Sequence, residues 1–517
     1  MKNGLLDAHV GKQATTGSTA RELPVAIIGA GPVGLAAAAH LVQRGLTPVL
    51  FERGPAVGHA LRAWSHVRVF SPWMYNIDAA AHALLEQIGW SAPDPEALPT
   101  GGEIVRHYLE PLAAHPAIAP HVVFEADVFA IGREGLDKVT TLGREAAPFV
   151  IRWRDASGTR HAARAQAVID ASGTWFSPNP IGIDGGFILG EQEASDRIAY
   201  GIPDVSEELR ARYAEARVLV LGAGHSATNV VLDLLRLQET SPELRVVWAL
   251  RRNRLDKLLG GGLNDQLPAR GALGLAAKRA IDAGRLQLLA PFAAERIDRS
   301  SNGLRISAQL DGQPFDLEVD QIVVATGFRP QIDMLRELRV SLDPILEAPP
   351  ALAPLIDPNV HSCGTVPPHG AAELAHPEPG FYLVGSKSYG RAPTFLMATG
   401  YEQVRSVVAE IAGDHAAARD VRLVLPETGV CGVPATPSVA AVSVGDYVSA
   451  HSIQLVLAES GAGDAAAGCC GGPAPAGADA CCVKDADAKA AGLDGCGCGT
   501  TAVASPEPVA AGGGCCG

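Results

Sequence analysis

Two glycine-rich turns hold the chemistry that can be read most directly from this sequence. The first is Gly29-x-Gly31-x-x-Gly34, which follows an apolar run at residues 24–28 and opens a helical pattern at residues 35–43. Glycines at this spacing let the chain turn sharply. They also let its backbone approach a pyrophosphate that rests on the helix N-terminus. Glu52 closes the next apolar run, where a carboxylate can accept hydrogen bonds from ribose hydroxyls. That combination suits FAD. The second turn, Gly222-Ala223-Gly224-His225-Ser226-Ala227, also follows a strand pattern, at residues 217–221. Here the following apolar run ends in Arg251-Arg252, with no acid at that point. A carboxylate there would repel a 2′-phosphate, whereas guanidinium groups can grip one bidentately. The second site therefore suits NADPH over NADH, with Arg254 as a further helper. The plainer alternatives are an empty glycine turn at the first site and loop-solvating arginines at the second.

Cysteine is the other reactive residue type. Cys363 and Cys431 lie in the body of the chain; the remaining eight are Cys469, Cys470, Cys481, Cys482, Cys496, Cys498, Cys515 and Cys516. Adjacent thiolates present two sulfurs to one soft ion, so this tail is a candidate site for arsenite or a thiophilic metal such as zinc or cuprous copper. The bland alternatives are an unselected Ala/Gly/Cys tail and one that forms disulfides. Cys363 is a weak catalytic candidate as a flavin-adjacent thiol, and so are Lys387 and Arg391. Arg68, Lys387 and Arg391 could face a pyrophosphate, a nicotinamide or an anionic substrate, while His369 and His376 read better as packed loop histidines than as bases. No Cys-x-x-Cys pair exists to cycle as an intramolecular dithiol.

These residues need elements to position them. Residues 23–52 and 217–250 repeat one plan of strand, glycine turn, helix and strand, an internal repeat at the level of motif. Strands are expected at 122–129, 149–153, 165–170, 321–325 and 380–384, with a helix over about 400–411. The predicted class is α/β with two Rossmann-type dinucleotide-binding domains, the second inserted in the first, plus a disordered Cys-rich tail. The expected division is a flexible N-terminus at 1–22, an FAD domain at 23–205 and 316–420, and an NADP domain at 206–315. A C-terminal extension at 421–458 and the tail at 459–517 follow. Arg53, Val128, Gly173 and Gly385 complete the expected cofactor-binding set, together with His225 and Ala227 on the second turn.

A formal charge of −14 argues against a nucleic-acid partner, because a phosphate backbone demands a basic face. Residues 1–22 carry no apolar core of a secretory signal, and the apolar stretch 23–42 is interrupted by Gly-Ala-Gly-Pro and His40. A cytoplasmic protein with no membrane contact is the expectation, and a homodimer is compatible with it. After about residue 457 the sequence is dominated by Ala, Gly, Asp and Cys, too poor in large apolar side chains to fold alone.

The order of motifs resembles the flavin-containing monooxygenase superfamily over roughly residues 23–415. The first glycine turn is followed by Asp170-Ala-Ser-Gly-Thr-Trp-Phe-Ser-Pro-Asn179, the second glycine turn and Val324-Ala-Thr-Gly-Phe-Arg-Pro330. In this resemblance the Ala-Thr-Gly strand end marks a return to the flavin domain. It implies FAD contacts at Gly29, Gly31, Gly34, Glu52 and Trp64, and NADP contacts at Gly222, Gly224, Ser226, Arg251 and Gly327. The sequence departs from the superfamily in one respect. The fingerprint Phe-x-Gly-x-x-x-His-x-x-x-aromatic should precede the second turn, yet no histidine lies between Phe187-Ile-Leu-Gly190 and Tyr200. A narrower resemblance, to flavoproteins encoded in bacterial arsenic-resistance clusters, rests on three segments: His66-Val-Arg-Val-Phe-Ser-Pro-Trp73, His361-Ser-Cys-Gly-Thr-Val366 and Lys387-Ser-Tyr-Gly-Arg-Ala-Pro-Thr394. Together these imply an NADPH-reduced FAD that reacts with dioxygen and oxidises a small soft nucleophile, arsenic- or sulfur-containing, through a flavin hydroperoxide. Two alternatives stand beside it: NADPH-dependent reduction of a thiol-bound metalloid or disulfide, and sequestration of arsenite or metal by the tail.

Overall fold

The computed structural model describes residues 23–205, 209–252, 268–301, 303–358, 366–393 and 395–422. Cys363, Cys431, Arg254 and all eight tail cysteines lie outside the described residues, as do the expected N-terminal segment and the C-terminal extension.

The first strand, β1 (Val25–Ile28), is buried along its whole length, as a strand covered on both faces must be. It pairs in parallel with β2 (Pro48–Phe51), and β2 pairs with the short β3 (Val122–Val123). Helix α1 (Pro32–Gln43) crosses over between β1 and β2. Its fully buried Ala36–Ala39 run keeps side chains small where the helix meets the sheet. An antiparallel meander of β4 (Asp127–Arg133), β5 (Phe149–Arg154) and β6 (Arg160–Ala165) then intervenes. The chain returns to the first sheet as β7 (Ala167–Asp170), on the other side of β1.

The second unit repeats this wiring. After β8 (Ile198–Tyr200) come β9 (Arg217–Leu221), helix α2 (His225–Thr240), β10 (Arg245–Ala249), helix α3 (Pro268–Asp282) and β11 (Gln287–Leu289). A second antiparallel meander follows, built from β12 (Phe292–Ser300), β13 (Gly303–Leu310) and β14 (Gln313–Val319). Strand β15 (Gln321–Val324) then pairs with β9 as β7 pairs with β1. Further on come β16 (Phe381–Leu383) on the first sheet and helix α4 (Met397–Ile411). The two sheets run β16-β7-β1-β2-β3 and β8-β15-β9-β10-β11, the same order with parallel pairing throughout. This is the expected α/β class with two Rossmann-type units, one nested in the other.

Two expectations about strands change. The run 122–129 is not one strand. Glu125 takes a positive φ of 55°, which breaks it into β3 on the first sheet and β4 in the meander. The segment 321–325 does not return to the first sheet but pairs between β9 and β8 of the second. A four-residue apolar run states that a strand is buried, not which sheet receives it. The second sheet accordingly takes strands from 198–200 and 321–324, on both sides of the 206–315 segment.

Glu378, just ahead of β16, ties the first meander to the segment that leads into that strand. Its fully buried carboxylate accepts from Arg133 Nε at 2.8 Å, Arg144 Nη2 at 2.7 Å and the Arg339 N–H at 2.9 Å. Burial pushes its carboxyl upward, but the bonds from Arg144, the Arg339 backbone and Arg133 outweigh that and hold it below the usual carboxylate range.

Candidate dinucleotide sites

At the first turn the fold itself requires two of the three glycines, each for a different reason. Gly29 has φ +96°, and a Cβ there would sit 2.8 Å from the Ala171 carbonyl oxygen. At Gly34 a Cβ would fall 2.0 Å from the Gly29 oxygen, so only glycine lets the helix lie this close to the strand. Gly31 differs from both. Its φ of −83° suits any residue, and a Cβ would meet no atom of the described residues within 4 Å. Gly31 is the N-cap of α1, and no side chain caps the helix there. The space is open, and the first-turn N–H groups are available to an anion.

Glu52 stands beside this turn, only 6 % exposed. Its carboxylate accepts from the Ala30 N–H at 2.8 Å and the Gly54 N–H at 2.9 Å, which fixes it against the glycine loop. Across the turn are the strand end Asp170–Gly173 and the segment after β16. Gly173 and Gly385 both take φ +69°. A Cβ on Gly385 would come within 3.5 Å of Val33 of α1, and one on Gly173 within 3.7 Å of Ser386 Oγ. Between them lies Lys387, 1 % exposed, whose Nζ donates to Asp170 Oδ2 at 2.7 Å and to Ser172 Oγ at 3.0 Å. Asp170 is fully buried, and its other oxygen accepts from the Ser172 N–H and hydroxyl.

The other expected residues at this site fall less centrally. Arg53 is exposed, paired with Asp127 at 3.1 Å and lying over the Phe176 ring. Trp64 is half-buried near Trp175 and presses on Gly101. Val128 is buried in the apolar layer with Ile28, Phe51 and Trp153. Arg68 lines a separate cavity of about 590 Å³ with Trp73, Trp90 and Arg106, paired with Glu103 at 3.6 Å.

The second turn repeats the logic of the first. Gly222 has φ +134°, and a Cβ would sit 2.3 Å from the Ala325 oxygen. Gly224, the uncapped N-cap of the α2 helix, has φ −94° and open space around it. Ala227 is buried under the turn, Ser226 is half-buried, and His225 is exposed with its ring 5.2 Å from Phe70. Trp248 Nε1 donates to the Gly222 carbonyl at 2.8 Å and so pins the turn from below. A cavity of about 610 Å³ opens here, lined among others by Gly222, Ala223, Arg251, Arg252, Asn179 and Thr326. Arg251 and Arg252 are exposed. Gly327, with φ +92°, adjoins the cavity through Asn179, whose N–H donates to the Gly327 carbonyl at 3.0 Å.

The remaining candidates separate cleanly. Arg391 lines this second cavity, whereas Lys387 belongs to the first turn. His369 is buried between the Pro367 carbonyl and Gln403, and burial lowers its pKa. His376 packs on Phe381, and burial pushes it down to about 4. Among the described residues no group of three or more His, Cys, Asp or Glu is arranged to hold a metal ion. No helix among them is long and apolar enough to cross a membrane.

Residue types alone missed Asp170 and Ser172 as the partners of Lys387, and Asn179 and Thr326 as cavity wall. The available signal was that all four sit within the two strand-end motifs, Asp170–Asn179 and Val324–Pro330.

A family profile described as pyridine nucleotide-disulphide oxidoreductase matches residues 26–348, which span both glycine turns. The chain belongs to this family. It is 25 % identical over 347 residues to a ferredoxin–NADP reductase of Thermus thermophilus, covering 66 % of this chain and 84 % of that protein. It is 26 % identical over 219 residues to flavin-containing monooxygenase 1 of Oryctolagus cuniculus, covering 40 % and 37 %. Among solved structures, the bacillithiol disulfide reductase of Bacillus cereus is similar at a TM-score of 0.56 and 16 % identity, covering 76 % of this chain and 99 % of that one. The FAD-bound cadaverine monooxygenase of Erwinia amylovora is similar at a TM-score of 0.52 and 14 % identity, covering 82 % and 100 %. As a member of this family the protein is an FAD-dependent, NAD(P)H-using oxidoreductase. The open, uncapped turns at Gly31 and Gly224 fit two such nucleotides.

Proposed function

We propose that the protein is a monooxygenase-like enzyme that holds FAD at the first turn, takes electrons from NADPH at the second, and oxidises a small soft nucleophile containing arsenic or sulfur. The observation that carries the two-nucleotide reading is the pair Gly31 and Gly224. Each has an ordinary backbone conformation and empty space where a side chain would stand, so none of the described residues requires a glycine there. Bound FAD would supply hydride acceptance and reaction with dioxygen. Glu52 would accept from the ribose of FAD, and the Asp170–Lys387 pair would hold the strand end at Gly173 in place. Arg251 and Arg252 would select the 2′-phosphate of NADPH.

The destination of the electrons rests on a chemical argument. The sequence has no Cys-x-x-Cys, so no pair of that kind serves as an intramolecular relay for disulfide reduction. A soft nucleophile is favoured by the resemblance to arsenic-resistance flavoproteins and by eight clustered thiols after residue 458, which would capture arsenite or a soft metal in a reducing cytoplasm. The test is to measure NADPH oxidation, oxygen uptake and peroxide release by purified holoenzyme, with and without trivalent arsenic or a thioether. Oxygenated product in step with NADPH and oxygen is expected. Oxygen converted wholly to peroxide, with no product, would refute oxygenation.

A second reading is a reductase that passes electrons to a thiol-bound metalloid or a disulfide. It is favoured by one observation: the relative matched over the larger share of the chain is a reductase. Anaerobic turnover would support it. Removing residues 459–517 tests the tail. If NADPH oxidation survives and arsenite binding is lost, the tail's role is capture.

A further inference from the structure

Arg391 stands in the segment after β16, a strand of the first sheet, yet it lines the second cavity with Gly222, Ala223, Arg251 and Arg252. Two contacts fix it. The Arg391 N–H donates to the Leu346 carbonyl at 2.7 Å, and Nη2 pairs with Glu347 Oε1 at 3.0 Å. The turn beneath it is one that few sequences accept. Gly390 has φ +58°, and a Cβ there would fall 1.9 Å from the Leu346 oxygen. Facing it, Glu347 itself takes φ +56°, a left-handed conformation rare for a residue other than glycine. A turn that only glycine fits and one strained residue, Glu347, together hold one guanidinium at the rim of a cavity. Strain of this kind persists where the surroundings require it and gathers at functional sites.

We propose that Arg391 is a pyrophosphate clamp, delivered by the flavin-binding unit, that leaves Glu347 for the dinucleotide when NADP(H) binds. This rests on the reading of the second cavity as the NADPH site. The adenosine end of the dinucleotide belongs with Arg251 and Arg252, at the end of β10. The nicotinamide end must travel toward the first unit to reach the flavin. Arg391 comes from that unit, and the only anionic group on that part of the dinucleotide is the pyrophosphate. The exchange is favourable in sign. The Arg391–Glu347 pair is open to water, at 39 % and 32 % side-chain exposure, and such pairs hold weakly. A phosphate offers charge-assisted, bidentate bonds. Arg391 would thereby tie the two units together when the dinucleotide is present.

The test is calorimetric titration of NADP⁺ and of NAD⁺ into full-length, FAD-loaded protein. Because both ligands carry the pyrophosphate, Arg391→Ala should weaken both by a similar factor, about tenfold or more for loss of a charge-assisted bond. Arg391→Lys should recover part of the loss, and Glu347→Gln should tighten both ligands by removing the competing carboxylate. The double variant Arg251→Ala/Arg252→Ala should weaken NADP⁺ alone. If Arg391→Ala does not retain FAD, Arg391→Lys and Glu347→Gln are read by the same titration. Binding of both ligands to Arg391→Ala within twofold of the parent protein would overturn the proposal. So would a loss confined to NADP⁺, which would place Arg391 on the 2′-phosphate. A parent protein that binds neither ligand would refute the NADPH site itself, a failure distinct from either of these.

Discussion

Replacing Gly31 with alanine separates what the fold needs from what the cofactor needs. In the protein alone the substitution is nearly free. The backbone is already at φ −83°, and the new methyl meets nothing within 4 Å. Alanine is a poorer N-cap than glycine, at a cost of several tenths of a kcal/mol up to about 1. It also restricts the unfolded chain, which returns about 0.4–1 kcal/mol. These terms largely cancel, so apo-protein stability should move by less than about 0.5 kcal/mol. With FAD present the methyl occupies the approach to the pyrophosphate. Overpacking of this kind costs about 1–3 kcal/mol, which is roughly a 5- to 150-fold loss of affinity. The assay is flavin titration into apo-protein, followed by fluorescence, beside urea unfolding of the same apo-protein. Gly34→Ala is the contrasting control. Its methyl would lie 2.0 Å from the Gly29 oxygen, so it should destabilise the apo-protein itself. An unchanged FAD affinity in Gly31→Ala would refute the claim that this empty space is reserved for the cofactor.

Three further outcomes follow from named contacts. Arg251→Ala and Arg252→Ala should each raise the KM for NADPH about tenfold or more while leaving that for NADH unchanged, since a charge-assisted bond contributes about 1.5–3 kcal/mol; equal effects on both coenzymes would refute the 2′-phosphate assignment. Lys387→Met strands the fully buried Asp170 carboxylate and should cost about 3–5 kcal/mol in urea unfolding, whereas Lys387→Met/Asp170→Asn should cost less; a single variant within about 1 kcal/mol of the parent would contradict the buried pair. Glu378→Gln should likewise destabilise by about 3–5 kcal/mol near neutral pH. Because the native carboxyl is held below its unfolded value, its stabilisation is complete above about pH 4.3 and is lost as pH falls through the native value. The variant should therefore show a flatter acid limb in a plot of stability against pH.

The sequence made both sites legible because each depends on local backbone chemistry. A glycine turn, the strand before it, the helix after it and the charge at the end of the next strand lie within about thirty residues, and their spacing follows directly from the geometry of a βαβ unit. What could not be read depends on long-range pairing. Lys387 and Asp170 are 217 positions apart, and Glu378 meets Arg133 from 245 positions away. Nothing local distinguishes a buried lysine with a partner from one on the surface. The assignment of strand 321–324 to the second sheet is of the same kind, since its four apolar residues would fit either sheet. Arg53 and Val128 are both expected cofactor contacts, and their side chains differ in setting: one is paired on the surface with Asp127 and the other is packed in the core.

The nested repeat gives this asymmetry a physical meaning. Both units have the same strand order, the same interposed meander, and a first glycine that abuts the strand end opposite, Ala171 in one and Ala325 in the other. If both turns bind nucleotide as proposed, the backbone would offer two equivalent pyrophosphate cradles and could not by itself decide which nucleotide enters which. Side chains just beyond the second strand of each unit must do so. After the second strand of each unit, Glu52 is buried and fixed by the Ala30 and Gly54 N–H groups, whereas Arg251 and Arg252 are exposed at an open cavity. A buried, fixed acid suits a nucleotide that stays. Exposed cations at an open cavity suit one that comes and goes with each turnover. Exchanging charge at these two positions should thus alter how long each nucleotide resides as well as which is chosen, and dissociation rates of FAD and NADP⁺ from Glu52→Gln and Arg251→Ala would measure it. Unchanged dissociation rates in both variants would show that the backbone cradle, not the terminal charge, sets residence.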